Sequence, residues 1–151
     1  SAAREAGERL VKELDFATIG TRWIGGLMTN FEKISKRIDY FKKTKEGLEK
    51  GEFAKYTKKE RLNMEKELGK MEKVFGGLKG LSKLPDAVFT IDPSFGGHGL
   101  AMAEAKKCGI PLVAIVDTDD DPELVNYLIP ANDHAKSSID WIVDKIISKA
   151  K

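Results

Sequence analysis

The sequence predicts an α/β fold, a parallel sheet with an inserted antiparallel coiled-coil helical hairpin. Two observations carry that prediction. Apolar residues recur at steps of three and four between Phe31 and Leu78, whereas further on short β-branched runs alternate with helical segments. The downstream order of strand, helix, strand, turn, strand, helix is the one that parallel pairing with right-handed crossovers produces.

A chain of 151 residues, 41% of them hydrophobic, suits one soluble globular domain with a modest core. Its apolar runs, such as Ile110 to Val116, are far too short to span a bilayer, and the N-terminus lacks the basic-then-apolar pattern of a secretory signal. The single cysteine, Cys108, excludes an intrachain disulfide and a zinc cluster, which points to a reducing compartment. Its place near a helix end predicts a small buried apolar residue. The net charge of +2 hides an uneven distribution: Glu32 to Lys73 holds fourteen bases against nine acids, and Asp117 to Lys151 eight acids against four bases. The basic excess therefore sits where a phosphate backbone could use it, although any one lysine there also reads as a solvated helix face.

Taken in order, Ala2 to Leu14 reads as a helix with Leu10, Val11 and Leu14 as its buried stripe, and Phe16 to Ile19 as a short strand. Thr29-Asn30-Phe31-Glu32 fits a capping box, so a long helix is expected from there to about Lys50. Its seam is Phe31, Ile34, Ile38, Phe41 and Leu48, with Lys45 filling the one polar gap. A second capping box, Thr57 to Glu60, opens a helix whose seam is Met64, Leu68, Met71, Phe75 and Leu78. Each arm of the resulting hairpin should extend roughly 30 Å at the helical rise. Ala87 to Ile91 and Leu112 to Val116 read as strands that end in Asp92 and Asp117, with Leu100 to Lys107 as the helix between them. Tyr127 to Ile129 reads as a last strand. Asn132 or Asp133 then caps a final helix with Ile139, Trp141, Ile142, Ile146 and Ile147 as its apolar positions, and His134 in its first turn. The expected division is 1-28 and 79-151 for the α/β body and 29-78 for the hairpin.

Three places could carry chemistry. Pro93 to Gly99 lies between a strand and a helix, where a phosphate loop would lie, yet it matches neither the dinucleotide fingerprint nor the Walker loop. Asp117, Asp119, Asp120 and Asp121 could hold magnesium, or could form a solvated turn closed by Pro122 with an aspartate capping the next helix; the turn is the preferred reading, and no metal or other cofactor is assigned. His98 and His134 have no nucleophile constellation around them, so no catalysis is expected. The third place is Arg22 to Phe31, RWIGGLMTNF. An arginine there can pair with phosphate, and an indole can stack on a base or lock the segment against the body.

Arg22-Trp23-Ile24-Gly25-Gly26 with Thr29-Asn30-Phe31 resembles the RWLGG and TNF signature of small-subunit ribosomal protein S2 of bacteria and organelles. Leu84 to Ala87 with Ile91-Asp92, and Gly109 to Thr118 with Asp121-Pro122, Tyr127, Ile129-Pro130 and Asn132-Asp133, resemble two further blocks of that family in the same order. The resemblance implies a partial flavodoxin-like sheet carrying the hairpin as an insertion, and a structural, non-catalytic role in the small ribosomal subunit. It implies contact with ribosomal RNA and neighbouring ribosomal proteins, including ribosomal protein S1, on a bacterial (cytoplasmic) or organellar ribosome. Arg22, Trp23, Asn30, Lys33, Lys36 and Arg37 are the residues it offers for RNA. The family's glycine-poor connection differs from the loop at Gly96 to Gly99, and its N-terminal strands have no counterpart before Ser1, so the isolated chain is expected to self-associate or be only marginally stable. Without the resemblance, an α/β nucleotide-binding domain and a coiled-coil protein-interaction module are the rival readings.

Overall fold

The computed structural model describes residues 2-93 and 97-151. Among the described residues five α-helices, α1 (Ala2–Leu14), α2 (Phe31–Glu49), α3 (Lys58–Phe75), α4 (His98–Cys108) and α5 (Lys136–Ala150), accompany three strands, β1 (Val88–Ile91), β2 (Leu112–Val116) and β3 (Tyr127–Pro130). The strands pair in parallel in the order β1-β2-β3, with Val88 opposite Leu112 and Val113 opposite Tyr127.

Side chains alternate across a strand, and β1 uses both faces. Val88 packs with Met102, Ala105 and Leu112 towards α4, whereas Phe89 and Ile91 pack against Ala6 and Leu10 of α1 and Ile139 and Val143 of α5. The sheet is thereby covered by helices on both sides, as parallel sheets require. Arg9 bridges to Asp140 at 3.2 Å and also to Asp144, and Glu5 meets Lys136, so a polar rim flanks the apolar contact of α1 with α5.

The hairpin is antiparallel, because pairings step backwards along α3 as they step forwards along α2: Phe41 stacks on Phe75 at 6.4 Å, and Lys45 bonds Glu72 at 2.8 Å. Ile34, Ile38, Phe41, Leu68, Phe75 and Leu78 form the buried seam. Lys45, the polar gap expected in the seam, is answered by Glu72, which also takes Lys79 at 2.7 Å. These lysines, Lys45 foremost, hold the Glu72 carboxyl below the usual range. The Thr57–Glu60 capping box forms as expected, with Thr57 Oγ1 accepting from the Glu60 amide and Glu60 accepting from the Thr57 amide at 2.8 Å.

Several expectations are corrected. Phe16 to Ile19 is not a strand: α1 ends at Leu14, Asp15 follows at φ 55°, and the Thr18 amide bonds the Gly77 carbonyl at 2.9 Å, which ties the segment to the turn after α3. Gly77 permits that approach, because a Cβ there would collide with the Thr18 carbonyl oxygen. Cys108 is exposed; α4 closes at a left-handed Gly109, and Ile110, whose amide bonds the Ala105 carbonyl at 2.9 Å, takes the buried position. Trp141 is 63% exposed, and Val143 lies in the core beside Ile139 and Ile142. The final helix starts later than expected, at Lys136. Asn132 accepts from the His134 and Ala135 amides in a turn before it, Asp133 points inward, and His134 precedes the helix.

Candidate nucleic-acid interface

The RWIGGLMTNF segment is a cradle around one carboxylate. Glu104 of α4 is 5% exposed; its Oε1 accepts from Trp23 Nε1 at 3.2 Å and the Gly26 amide at 2.6 Å, and its Oε2 accepts from the Met28 and Thr29 amides at 3.0 and 3.2 Å and from Thr29 Oγ1 at 3.3 Å. Burial pushes this carboxyl upward more than any single donor pulls it down, yet the Gly26, Met28, Trp23 and Thr29 donors together hold it below the usual range. Glu104 is thus an anion at neutral pH, held by charge-assisted hydrogen bonds. Gly26 supplies the φ of 84° at which the chain turns its amides inward.

This clamp overturns the expected capping box at Thr29. The N-cap of α2 is Asn30, without a side-chain cap bond, and Glu32 pairs with Lys36 at 2.7 Å. Thr29 is taken by Glu104, seventy-five positions away in the chain. Trp23 is half-buried and packs against both the hairpin seam and the cluster of Met28, Met102 and Leu112. Its indole therefore joins the arm to the α/β layers at the point where the loop is clamped.

The other candidate residues lie on the outside of this junction. Arg22 and Asn30 are exposed, as are Lys33, Lys36 and Arg37. Asn30, Lys33 and Arg37 fall on one side of α2 by their spacing of three and four, and Lys36 sits one step round from Lys33. The Arg37 guanidinium lies over the Phe75 ring, 5.5 Å from its centroid, so a cation–π contact sets the charge against the seam while the residue stays exposed. Among the described residues Lys33, Lys43, Lys58, Lys59, Lys66, Lys70 and Lys73 are exposed and enter no ion pair. The arm consequently presents cations that are not neutralised by its own acids.

Sequence reasoning misses Glu104. A signal exists, since an acid in the run Ala101-Met102-Ala103-Glu104-Ala105 sits on the same face as Ala101 and Ala105 and would be expensive to bury unpaired. Of the predicted acidic cluster, Asp121 takes the capping role, accepting from the Glu123 amide at 2.9 Å, and Asp119 is exposed. Asp120 is turned inward, accepts from the Asp117 amide at 3.0 Å, and lies with Asp92 and Asp133 instead, all three offering oxygens within 4.8 Å of one another. Asp133 is pushed up to about 6 by burial first and by the charge of Asp92 next, with His134 pulling the other way. His98 Nδ1 donates to the Asp92 carbonyl at 2.7 Å and meets Thr90 Oγ1 at 3.2 Å. The middle of the glycine loop, Ser94 to Gly96, lies outside the described residues.

An α/β body with a clamped loop at the root of a basic two-helix arm is a scaffold that presents a charged surface. The chain belongs to the ribosomal protein S2 family, whose model matches residues 1–151. It is 44% identical over 144 residues to the small ribosomal subunit protein uS2 of Dictyoglomus thermophilum, covering 95% of this chain and 58% of that protein. It is 45% identical over 128 residues to the uS2 protein of Geotalea uraniireducens, with 85% and 49% covered, and 43% identical over 150 residues to that of Roseiflexus sp., with 97% and 56% covered. The chain thus spans about half the length of the curated relatives it matches. No helix among the described residues is long and apolar enough to cross a membrane.

Proposed function

We propose that this chain is a structural constituent of the small subunit of a bacterial or organellar ribosome, binding ribosomal RNA and neighbouring ribosomal proteins, ribosomal protein S1 among them. Membership of the S2 family supports the setting. The observation that carries the mode of binding is the set of exposed lysines outside any ion pair, Lys33 among them, on an arm whose root is clamped by Glu104. In this reading residues 29-78 are the inserted arm and 1-28 with 79-151 the body. Arg22, Asn30, Lys33, Lys36 and Arg37 meet phosphate or base edges directly, and Trp23 contributes by holding the arm at its angle, its buried edge being committed to Glu104.

The test is a salt titration of binding to small-subunit RNA. Reversing Lys33, Lys36 and Arg37 to glutamate should lower affinity at least tenfold and flatten the dependence of log K on log salt by about two to three, one for each side chain that no longer neutralises a phosphate. Absence of binding by the parent chain, or an unchanged slope in the variant, contradicts the reading. The exposed Tyr127 and Leu128 on β3 and Trp141 on α5 also lead us to expect self-association of the isolated chain, read as a concentration-dependent sedimentation coefficient. A monomer of high, concentration-independent thermal stability would contradict that expectation.

A further inference from the structure

We propose that Asp92, Asp120 and Asp133 form a binding site for one hard divalent cation, of the magnesium or calcium class, at the carboxyl end of the sheet. The three carboxylates come from three consecutive strand ends, Asp92 directly after β1, Asp120 after β2 and Asp133 after β3. That edge is where parallel sheets bind their ligands. One oxygen of each lies within 4.8 Å of the others, so small side-chain shifts bring all three to the bonds of about 2.0–2.6 Å that such an ion makes.

A solvated acidic turn would look different. Asp133 is 5% exposed, and its Oδ1 is fully buried without a hydrogen-bond donor among the described residues. His134 Nδ1 stands 3.7 Å from that oxygen, beyond hydrogen-bond reach, on a side chain that is 70% exposed. A carboxylate oxygen in that position lacks compensation for its lost hydration, and a cation supplies it. The other two acids are also held in place. Asp120 is fixed by the Asp117 amide, and the backbone of Asp92, at φ 59°, is pinned by His98 through its carbonyl. An open cleft lined by Asp117, Asp120 and Asn132 shares Asp120 with the cluster. All donors are oxygen, which selects against zinc and copper.

Titration of the 151-residue chain with Mn²⁺, followed by the loss of its free-ion EPR signal at neutral pH, tests the site. One saturable site, displaced by Mg²⁺ or Ca²⁺, is expected. Asp133→Asn and, separately, Asp92→Asn should each weaken Mn²⁺ at least tenfold, while the exposed Asp119→Asn leaves it unchanged. Circular dichroism confirms that each variant is folded, and having two variants in the cluster guards against the failure of one. Saturating Mg²⁺ should also raise the midpoint of thermal unfolding by about 5 °C in the parent and not in Asp133→Asn. Whichever of Mg²⁺ and Ca²⁺ displaces Mn²⁺ at the lower concentration identifies the class. No saturable Mn²⁺ binding, or binding that survives Asp133→Asn and Asp92→Asn, overturns the proposal.

Discussion

Glu104 and Asp133 are both carboxylates at 5% exposure, and the chain treats them in opposite ways. Glu104 gathers three backbone amides, an indole N–H and a hydroxyl, and its carboxyl is held low; Asp133 faces other carboxylates and is pushed up to about 6. Burial alone therefore says little about what an acid does in this fold. Donors decide it: the first carboxylate is a structural clamp between α4 and the root of the arm, and the second has an oxygen, Oδ1, with no hydrogen-bond donor among the described residues.

The largest effect expected from breaking this contrast is Glu104→Ala. It leaves the amides of Gly26, Met28 and Thr29 without an acceptor, at ~1–3 kcal/mol for each group that water cannot reach, so a loss of about 4 kcal/mol in urea unfolding is expected. Asp133→Asn should move stability the other way in cation-free buffer at neutral pH, by about +1 kcal/mol, because it removes an ion that burial disfavours. Equal destabilisation by both would erase the distinction.

Acid supplies a subtler probe. Because the folded Glu104 carboxyl is held below its unfolded value, its stabilisation is complete above the unfolded carboxylate pKa and is lost as pH falls through the lower folded one. The parent should therefore lose more stability below about pH 4.5 than Glu104→Gln does, as measured by denaturant midpoints across pH. Parallel pH profiles would show that the clamp carries no such linkage. Smaller still is Lys45→Met, which breaks the bridge to Glu72 where both partners are about 40% exposed; a change of less than ~1 kcal/mol is expected. Lys36→Ala should leave stability within ~0.5 kcal/mol, its pairing with Glu32 being a solvated one, so any loss of RNA affinity in that variant reports contact and not folding.

What could be read from the sequence was what short-range chemistry decides. The seam of Ile34, Ile38, Phe41, Leu68 and Phe75 appears as periodicity because each residue's face follows from its spacing, and Thr57 with Glu60 caps α3 because both partners lie within one turn. The same pattern at Thr29 and Glu32 misled, since the competitor for Thr29 was an acid on α4 that local pattern could not bring near. Phe16 to Ile19 has strand composition, but the carbonyl that claims Thr18 belongs to Gly77, and composition carries no record of it. At the acidic end of the sheet, the run from Asp117 to Asp121 looked like one cluster; folding sorts it by orientation, leaving Asp119 in solvent and bringing Asp120 to two acids from other strand ends. Membership of the S2 family, by contrast, was written in RWIGGLMTNF itself, whose unusual composition reflects a backbone shaped to surround a carboxylate.

The clamp is the centre of this account, and amide hydrogen exchange measures it directly. In the parent chain the Gly26, Met28 and Thr29 amides should exchange as slowly as those of Ile38 and Phe41 in the arm's seam, and in Glu104→Gln they should exchange at least tenfold faster while Ile38 and Phe41 keep their protection. Fast exchange of those three amides in the parent, or rates unchanged by the substitution, would contradict the claim that Glu104 fixes the arm to the body.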